Sequence, residues 1–461
     1  MSIYSTFEYF DALLSHPDIF EIARKDPRYF TRDSKLGLTG LLKFLISRQG
    51  YTVANEINHY YSSFGLEKSV SKQAIFQAQE KLDYKVFPYI NSKLCKHYYQ
   101  NNDYETLKGY TVVAIDGSVG EAPYTEENAR VFGVNDPNRN NLFKASPRIS
   151  GFLDVCNGIY IDVLIKSYKD SEIPMAYEQM NNIHDILEKQ KVIYMGDCNY
   201  PSTDIFVYYN MKGDKFCYRG KPNFYKKQLE NIERDGWIEI DLDDRWIDRF
   251  KIEEVKDYAR EHRNFRLRVI KVMKSELRQL KVSEKDEEII IFTNLDENEW
   301  STKEVLQLYG NRWSAETGYD ILKNKIEMER VTSEKAELIL QELHSQVIVH
   351  NLAAMIKKES DKLITHTEKY NYQTNINNLI QLLRANLAKL LNMKDGFRRL
   401  INKIIRKASK NKEPIRPNRL FGRWNVYTKK PTTLKYRVDG KRNPKVRKMK
   451  KGFFCVQNTN Q

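Results

Sequence analysis

The feature that most constrains this 461-residue chain is a change of hydrophobic period near residue 110. From there, "YTVVAIDGS" is a short β-branched run ending in Asp116 and Gly117, which predicts a buried strand running into a turn. "ISGFLDVCNG" and "IYIDVLIKSY" predict the second and third strands of a meander, turned at Asn157-Gly158. "IPMAYEQMNNIHDILEKQ" predicts a helix, "KVIYMGDCNYPS" a strand running into Asp197, "TDIFVYYNMKG" a helix and "KFCYRGK" a further strand. Three antiparallel strands followed by helix, strand, helix and strand imply a mixed α/β sheet.

Five regions follow from the pattern. Residues 1–105 read as all-helical, and "VSKQAIFQAQEKL" has Ser71 as its N-cap. A helix, a turn and this capped helix, with Lys72, Gln73 and Gln77 near its exposed start, resemble a helix-turn-helix reader of DNA. A plain helical bundle fits the same spacing. Residues 106–220 hold the first part of the α/β core. Residues 221–297 are charged, with short strands at "WIEIDL", "RLRVIKVM" and "EEIIIFTNL", and read as a β-rich insertion. The helical pattern resumes over 298–360, and 361–461 is helical and strongly basic.

Composition excludes several classes. No window has the run of about 18 uncharged apolar residues that a membrane span needs. The start, "MSIYSTFEYFDALLSHPD", has no basic n-region and does not read as a secretory signal. Five cysteines (95, 156, 198, 217 and 455) form no CxxC pair, and the eight His include no HExxH, so a disulfide framework or zinc cluster is not expected. A reducing cytoplasm fits. The net charge of +15 is uneven. Residues 391–461 hold 22 Lys or Arg against three acids, a net of +19, while the other 390 residues hold 54 basic and 58 acidic residues, a net of −4. Such asymmetry points to an anionic partner, nucleic acid above all. Within this region "FRRLINKIIRKASK" places Phe397, Leu400, Ile401, Ile404 and Ile405 on one face and cations on the other. It predicts packing against the protein with the basic face toward DNA, rather than a membrane-surface helix.

Asp116 and Asp197 both end apolar strands, and in open α/β sheets the C-terminal strand ends are where ligands bind. Glu316 lies in "YGNRWSAETGYDILK", where Tyr309, Arg312, Glu316 and Lys323 fall within about 60° of arc if the stretch is one regular helix. Three carboxylates from two strands and a helix suit hard divalent cations, which want oxygen ligands. A paired metal site can activate an attacking oxygen and stabilise the leaving oxygen of a phosphodiester. Arg grips phosphate with a bidentate fork, Lys adds a point charge, and a Tyr hydroxyl donates a hydrogen bond.

Tyr309-x2-Arg312-x3-Glu316-x6-Lys323, with Trp313 after the Arg, resembles the signature of DDE transposases of the insertion sequence 4 family. Asp116 in "VVAIDGS" and Asp197 in "YMGDCNYPS" resemble the first and second catalytic Asp of that family. Cys198 and Asn199 stand where its members usually have Arg and Gly. The resemblance covers roughly residues 35–395 and implies a ribonuclease H-like mixed-sheet core with an inserted β-rich subdomain. It implies that Asp116, Asp197 and Glu316 bind two Mg²⁺ ions, Mn²⁺ being a plausible substitute, and that Tyr309, Arg312 and Lys323 hold DNA phosphates. It further implies cut-and-paste transposition: cleavage at terminal inverted repeats, hairpin formation and strand transfer into target double-stranded DNA by a homodimer. The expected setting is the bacterial cytoplasm and nucleoid, with no membrane partner. Trp237, Trp246 and Trp300 are candidates to stabilise a flipped base. Two other readings stand beside this one: a catalytically inactive DNA-binding protein or repressor, and a stand-alone nuclease on the same fold.

Overall fold

The structure, a computed structural model, describes residues 3–32, 34–65, 70–135, 144–188, 190–221, 223–276, 288–367, 370–392 and 395–415. Most of the basic surplus, at 416–461, lies outside the described residues, as does the side chain of Trp313.

The chain opens with helices α1 (Ile3–Leu13), α2 (Pro17–Ala23), α3 (Gly37–Ile46), α4 (Val53–Ser62), α5 (Lys72–Lys81) and α6 (Val86–Asn101). Ser71 caps α5 as its sequence predicts, its side chain accepting from the Ala74 amide. The sheet then begins with β1 (Tyr110–Val119), and after α7 (Glu126–Phe132) come β2 (Pro147–Asp154) and β3 (Ile159–Ser167). Helix α8 (Glu172–Leu187), β4 (Lys191–Gly196), α9 (Thr203–Lys212) and β5 (Lys215–Gly220) complete the first run. The turn at Asn157-Gly158 forms as expected, with Gly158 at φ +67°, a conformation that costs glycine little.

These five strands lie in the order β3-β2-β1-β4-β5. The meander is antiparallel, and β4 and β5 add parallel to β1. This is a ribonuclease H-like core. The next segment holds α10 (Lys226–Leu229), β6 (Asp235–Asp241), α11 (Asp244–Ile247), α12 (Glu253–Glu261), β7 (Asn264–Met273) and β8 (Glu288–Thr293). Among the described residues, its strands build no separate sheet. They continue the core from β5 in the order β8-β7-β6, all antiparallel, giving eight strands in one sheet. Arg268 of β7, 1% exposed, ties this extension to the chain that follows. It grips Asp235 with Nε and Nη2 at 2.9 and 2.7 Å and donates to the Trp300 carbonyl at 2.7 Å.

After it come α13 (Thr302–Gly310), α14 (Trp313–Asp320), a π-helical turn at Ile321–Lys325 and α15 (Ala336–Asp361), a 26-residue helix. A short pair, β9 (Tyr372–Thr374) and β10 (Lys412–Pro414), brackets α16 (Ile376–Asn392) and α17 (Phe397–Lys410). Helix α15 is buried on all sides, as a helix through the middle of a large core must be. It packs on β3, α6 and α3 on one side and on α16 and α17 on the other. At the edge of the sheet, Asn351 of α15 accepts from the Tyr160 amide and donates to its carbonyl, both at 2.8 Å, and Asn91 of α6 donates to the same carbonyl at 3.2 Å. The open amide and carbonyl of Tyr160 on edge strand β3 are thereby satisfied by side chains instead of being left for another chain to pair with.

Candidate active site

Because β1 and β4 are parallel, with Ala114 in register with Met195, their C-terminal ends open on the same edge of the sheet. Asp116 stands two residues further along β1, and Asp197 directly follows β4. Helix α14 lies against β1 and brings Glu316 to that edge. Two glycines make this approach possible. A Cβ on Gly318 would lie 2.8 Å from the Tyr160 hydroxyl and 2.9 Å from Leu153 Cδ2. A Cβ on Gly151, the residue opposite Asp116 on β2, would lie 2.7 Å from the Tyr160 ring and 3.0 Å from the Tyr319 hydroxyl. Tyr319 uses the space to donate to the Asp116 carbonyl at 2.7 Å, pinning α14 to β1.

The three carboxylates feel one another. Burial pushes the Asp116 carboxyl up to about 6; the Arg312 guanidinium and the Gly117 amide oppose this, and the charges of Asp197 and Glu316 add to it. Asp197 is held from within its own loop: Oδ1 accepts from the Asn199 amide at 2.8 Å and Oδ2 from the Asn199 side chain at 3.2 Å. Glu316 faces Arg312, with Nη2 and Oε1 3.7 Å apart. Among the described residues, no group of three or more His, Cys, Asp or Glu side chains is placed to hold a metal ion.

The signature stretch is not one regular helix. A capping box of Ser301 and Glu304 starts α13, which stops at Gly310; Asn311 and Arg312 link it to α14, and a π-turn follows at Ile321–Lys325. The four residues therefore sit on successive pieces, and a rotation of 100° per residue does not describe their faces. The guanidinium of Arg312 lies 5.8 Å from the centre of the Tyr309 ring. Both residues are buried, at 4% exposure for Tyr309 and 8% for Arg312. Burial raises the Tyr309 pKa to about 12, against the pull of Arg312. Lys323 reaches the C-terminal end of β1. Its Nζ donates to the Val119 carbonyl at the end of β1 at 2.7 Å and stands 3.4 Å from Glu329.

Sequence reasoning missed several neighbours. Arg219, near the C-terminal end of β5, lowers the Tyr309 pKa electrostatically; the strand-end argument used for the two Asp residues would have found it. Tyr200 anchors the loop after Asp197. It is 1% exposed, its hydroxyl has no hydrogen-bond partner among the described residues, and Glu172, Asp116 and Asp197 lie around it. Glu172 is a fourth acid at this edge: a Cβ on Gly117 would lie 2.7 Å from its Oε1, and Arg148 pairs with it. Its helix is far from Asp116 in sequence, so no local motif marks it. Of the three Trp candidates, Trp300 is 1% exposed inside the core, which removes it as a stacking platform. Trp237 is half-buried beneath the Arg266 guanidinium at 5.0 Å, and Trp246 is half-buried against Tyr225.

Compared with known families, residues 107–352 match the one described as "Transposase DDE domain". The chain belongs to this DDE transposase family. The matched span runs from the start of β1 into α15 and contains Asp116, Asp197, Tyr309, Arg312, Glu316 and Lys323. No curated protein matches the chain. Among solved structures, a piggyBac transposase synaptic complex with hairpin DNA, determined by cryo-electron microscopy, is 12% identical. The alignment covers 93% of this chain and 88% of that one at a TM-score of 0.45.

DDE transposases use divalent cations, and the donors here suit such an ion by their chemistry. The set is all carboxylate, as hard cations prefer, and a half-buried Asp116 whose charge is opposed by two further acids is a group that a dication would stabilise. Among the described residues, no helix is long and apolar enough to cross a membrane.

Proposed function

We propose that this chain is the transposase of a bacterial insertion sequence of the insertion sequence 4 family, which binds the terminal inverted repeats of its element and moves it by cut-and-paste transposition. The supporting observation is the meeting of Asp116, Asp197 and Glu316, from two strand ends and a helix, with Arg312 beside them. Asp116, Asp197 and Glu316 would hold two Mg²⁺ ions, or Mn²⁺ in their place, which activate the attacking oxygen and stabilise the leaving one.

The chain's own residues do the rest by positioning. Arg312 offers a guanidinium for a phosphate oxygen next to the carboxylates, and buried Tyr309 keeps it aimed. Lys323 fixes the end of β1, so Asp116 keeps its place, and adds positive charge for the strand. Water attacks the phosphodiester at the transposon end and the bond to the 3′-oxygen breaks, the water's proton passing to solvent. The freed 3′-hydroxyl attacks the opposite strand to make a hairpin, whose hydrolysis and attack on target DNA complete the transfer. The helices before residue 105 read the repeat, and two copies of the chain work on a pair of ends.

A second reading, a DNA-binding protein or repressor without catalysis, is favoured by one observation: Asn199 hydrogen-bonds both oxygens of Asp197. Strand cleavage of a transposon-end duplex with Mg²⁺ decides between them. The wild type is expected to nick and form hairpins, and Asp116→Asn, Asp197→Asn and Glu316→Gln to fall to background. Variants that cut like the wild type would remove the triad assignment. Tight binding by a wild type that never nicks would establish the second reading.

A further inference from the structure

Away from the carboxylates, the outer face of α17 stands out. Ile401, Ile404, Ile405 and Ala408 are buried beneath the helix, which packs on α15 and α16. Arg399, Lys403, Arg406, Lys407 and Lys410 are exposed on the other side and, with Asn402, line an open groove of about 570 Å³. At about 100° and 1.5 Å per residue, the five cations fall within roughly 100° of arc and span about 16 Å. Among the described residues, none of the five has an ion-pair partner, whereas neighbouring Arg398 pairs with Glu8. The rest of the chain toward the C-terminus has no charge to spare for them, since residues 416–461 hold 14 Lys or Arg and a single acid, Asp439. Like charges three and four residues apart destabilise a helix, so a polyanion lying over this face would stabilise it.

Its place in the fold says which part of a polyanion. Helix α17 packs on α15, and α15 packs on β3, two strands from β1. Ser360 of α15, nine residues beyond Asn351, donates to the Ile405 carbonyl of α17, so α17 sits toward the end of α15 that runs away from Asp116. At about 1.5 Å per helical residue, about 5 Å per strand and about 10 Å per packed layer, the basic face stands roughly 30–40 Å from Asp116. Duplex DNA rises about 3.4 Å per base pair, so that distance is roughly nine to twelve base pairs.

We propose that the basic face of α17 binds the backbone of duplex DNA several base pairs away from the phosphodiester that is cut. The contact is sequence-independent, and it takes no part in the chemistry. It rests on the reading that the chain acts on a DNA end, but it can be tested without catalysis.

The test is anisotropy of a labelled transposon-end duplex of roughly 30 base pairs in EDTA over a salt series, in which each phosphate contact contributes about 0.9 to the log–log slope. The variant carries Arg399→Gln, Lys403→Gln, Arg406→Gln, Lys407→Gln and Lys410→Gln. A stripe of this length runs beside roughly three phosphates, so the slope is expected to fall by about 2–3 and the affinity by about tenfold or more. On a duplex ending roughly five base pairs from the cleavage site, wild type and variant are expected to bind alike. Arg398→Gln should leave the slope unchanged. If the fivefold variant does not fold, Lys403→Glu and Lys407→Glu should each lower the slope by about 1. An unchanged slope on the long duplex overturns the proposal. So does an equal loss on the short one, or tighter binding of the wild type to phosphatidylglycerol vesicles than to DNA. A slope lost by the variant, with a wild type that never cleaves, would uphold this surface while removing the catalytic reading.

Discussion

At the level of single residues, Asp116 is an acid held well above the usual carboxylate range. Its carboxyl is pushed up to about 6, burial being the largest cause, while in the unfolded chain an Asp titrates near 3.9. The folded state therefore holds this proton more tightly. The stability that this confers is complete below about pH 4 and is lost as pH rises through about 6. Asp116→Asn has no charge to bury. In EDTA at pH 8 it is expected to be more stable than the wild type by about 1–3 kcal/mol, a gain that vanishes below about pH 4. Added Mg²⁺ or Mn²⁺ should raise the melting temperature of the wild type and leave that of the variant nearly unmoved. Thermal unfolding followed at several pH values checks both halves. A variant no more stable than the wild type at pH 8 would mean that the site already accommodates the charge.

At the scale of elements, the proposed catalysis depends on how closely α14 sits on the sheet. Gly318→Val would drive a side chain into the Tyr160 hydroxyl and Leu153, which are already within 3 Å of a bare Cβ. Overpacking of this kind costs about 1–3 kcal/mol. The larger effect is expected on cleavage, because a shift of about 1 Å in a positioned group can cost on the order of 100-fold in rate. Gly310→Ala meets nothing within 4 Å and should be neutral or slightly stabilising, so the pair separates lost packing from lost glycine. Single-turnover cleavage at saturating DNA, read with denaturant unfolding, checks it; equal rates for both variants would show that Gly318 does not set the position of Glu316. The same region shows what the sequence could and could not disclose. Asp197 directly after β4, the Asn157-Gly158 turn and the Ser71 cap are local patterns, and each is where the pattern puts it, whereas β1 runs on through Asp116 and Gly117 to Val119, held there by its pairing with β2. The break at Asn311-Arg312 and the π-turn that aims Lys323 at Val119 are not local patterns. They answer to contacts with β1, more than 180 residues away, and a helical wheel assumes there are none. Glu172 escaped for the same reason, since only the folded sheet places it beside Asp116.

The molecule as a whole is organised around α15. The N-terminal helices are wired to it by buried polar contacts: Gln341 donates to the Gln79 and Leu82 carbonyls, Asn351 donates to Asn91, and the Tyr84 amide donates to Glu337. The strongest tie is ionic. Arg48, just beyond α3, meets Glu342 at 3.0 Å, with side chains 6% and 5% exposed. Glu342 also accepts from the Thr332 amide at 2.6 Å and from the hydroxyls of Thr332 and Ser333. These contacts join the helices proposed to read DNA to the α/β core, so recognition and cutting share one rigid frame rather than a hinged arm. A buried pair of this kind is expensive to break from one side, because the remaining charge stays out of water. Arg48→Met is expected to cost about 3–5 kcal/mol, read as a lower denaturant midpoint. Replacing both residues, Arg48→Met with Glu342→Met, should recover part of that loss, since no lone charge is left behind. The recovery should be incomplete because Thr332 and Ser333 lose their acceptor. If Arg48→Met unfolded at the wild-type midpoint, the N-terminal helices would be held by apolar packing alone, and the shared frame would have no ionic lock.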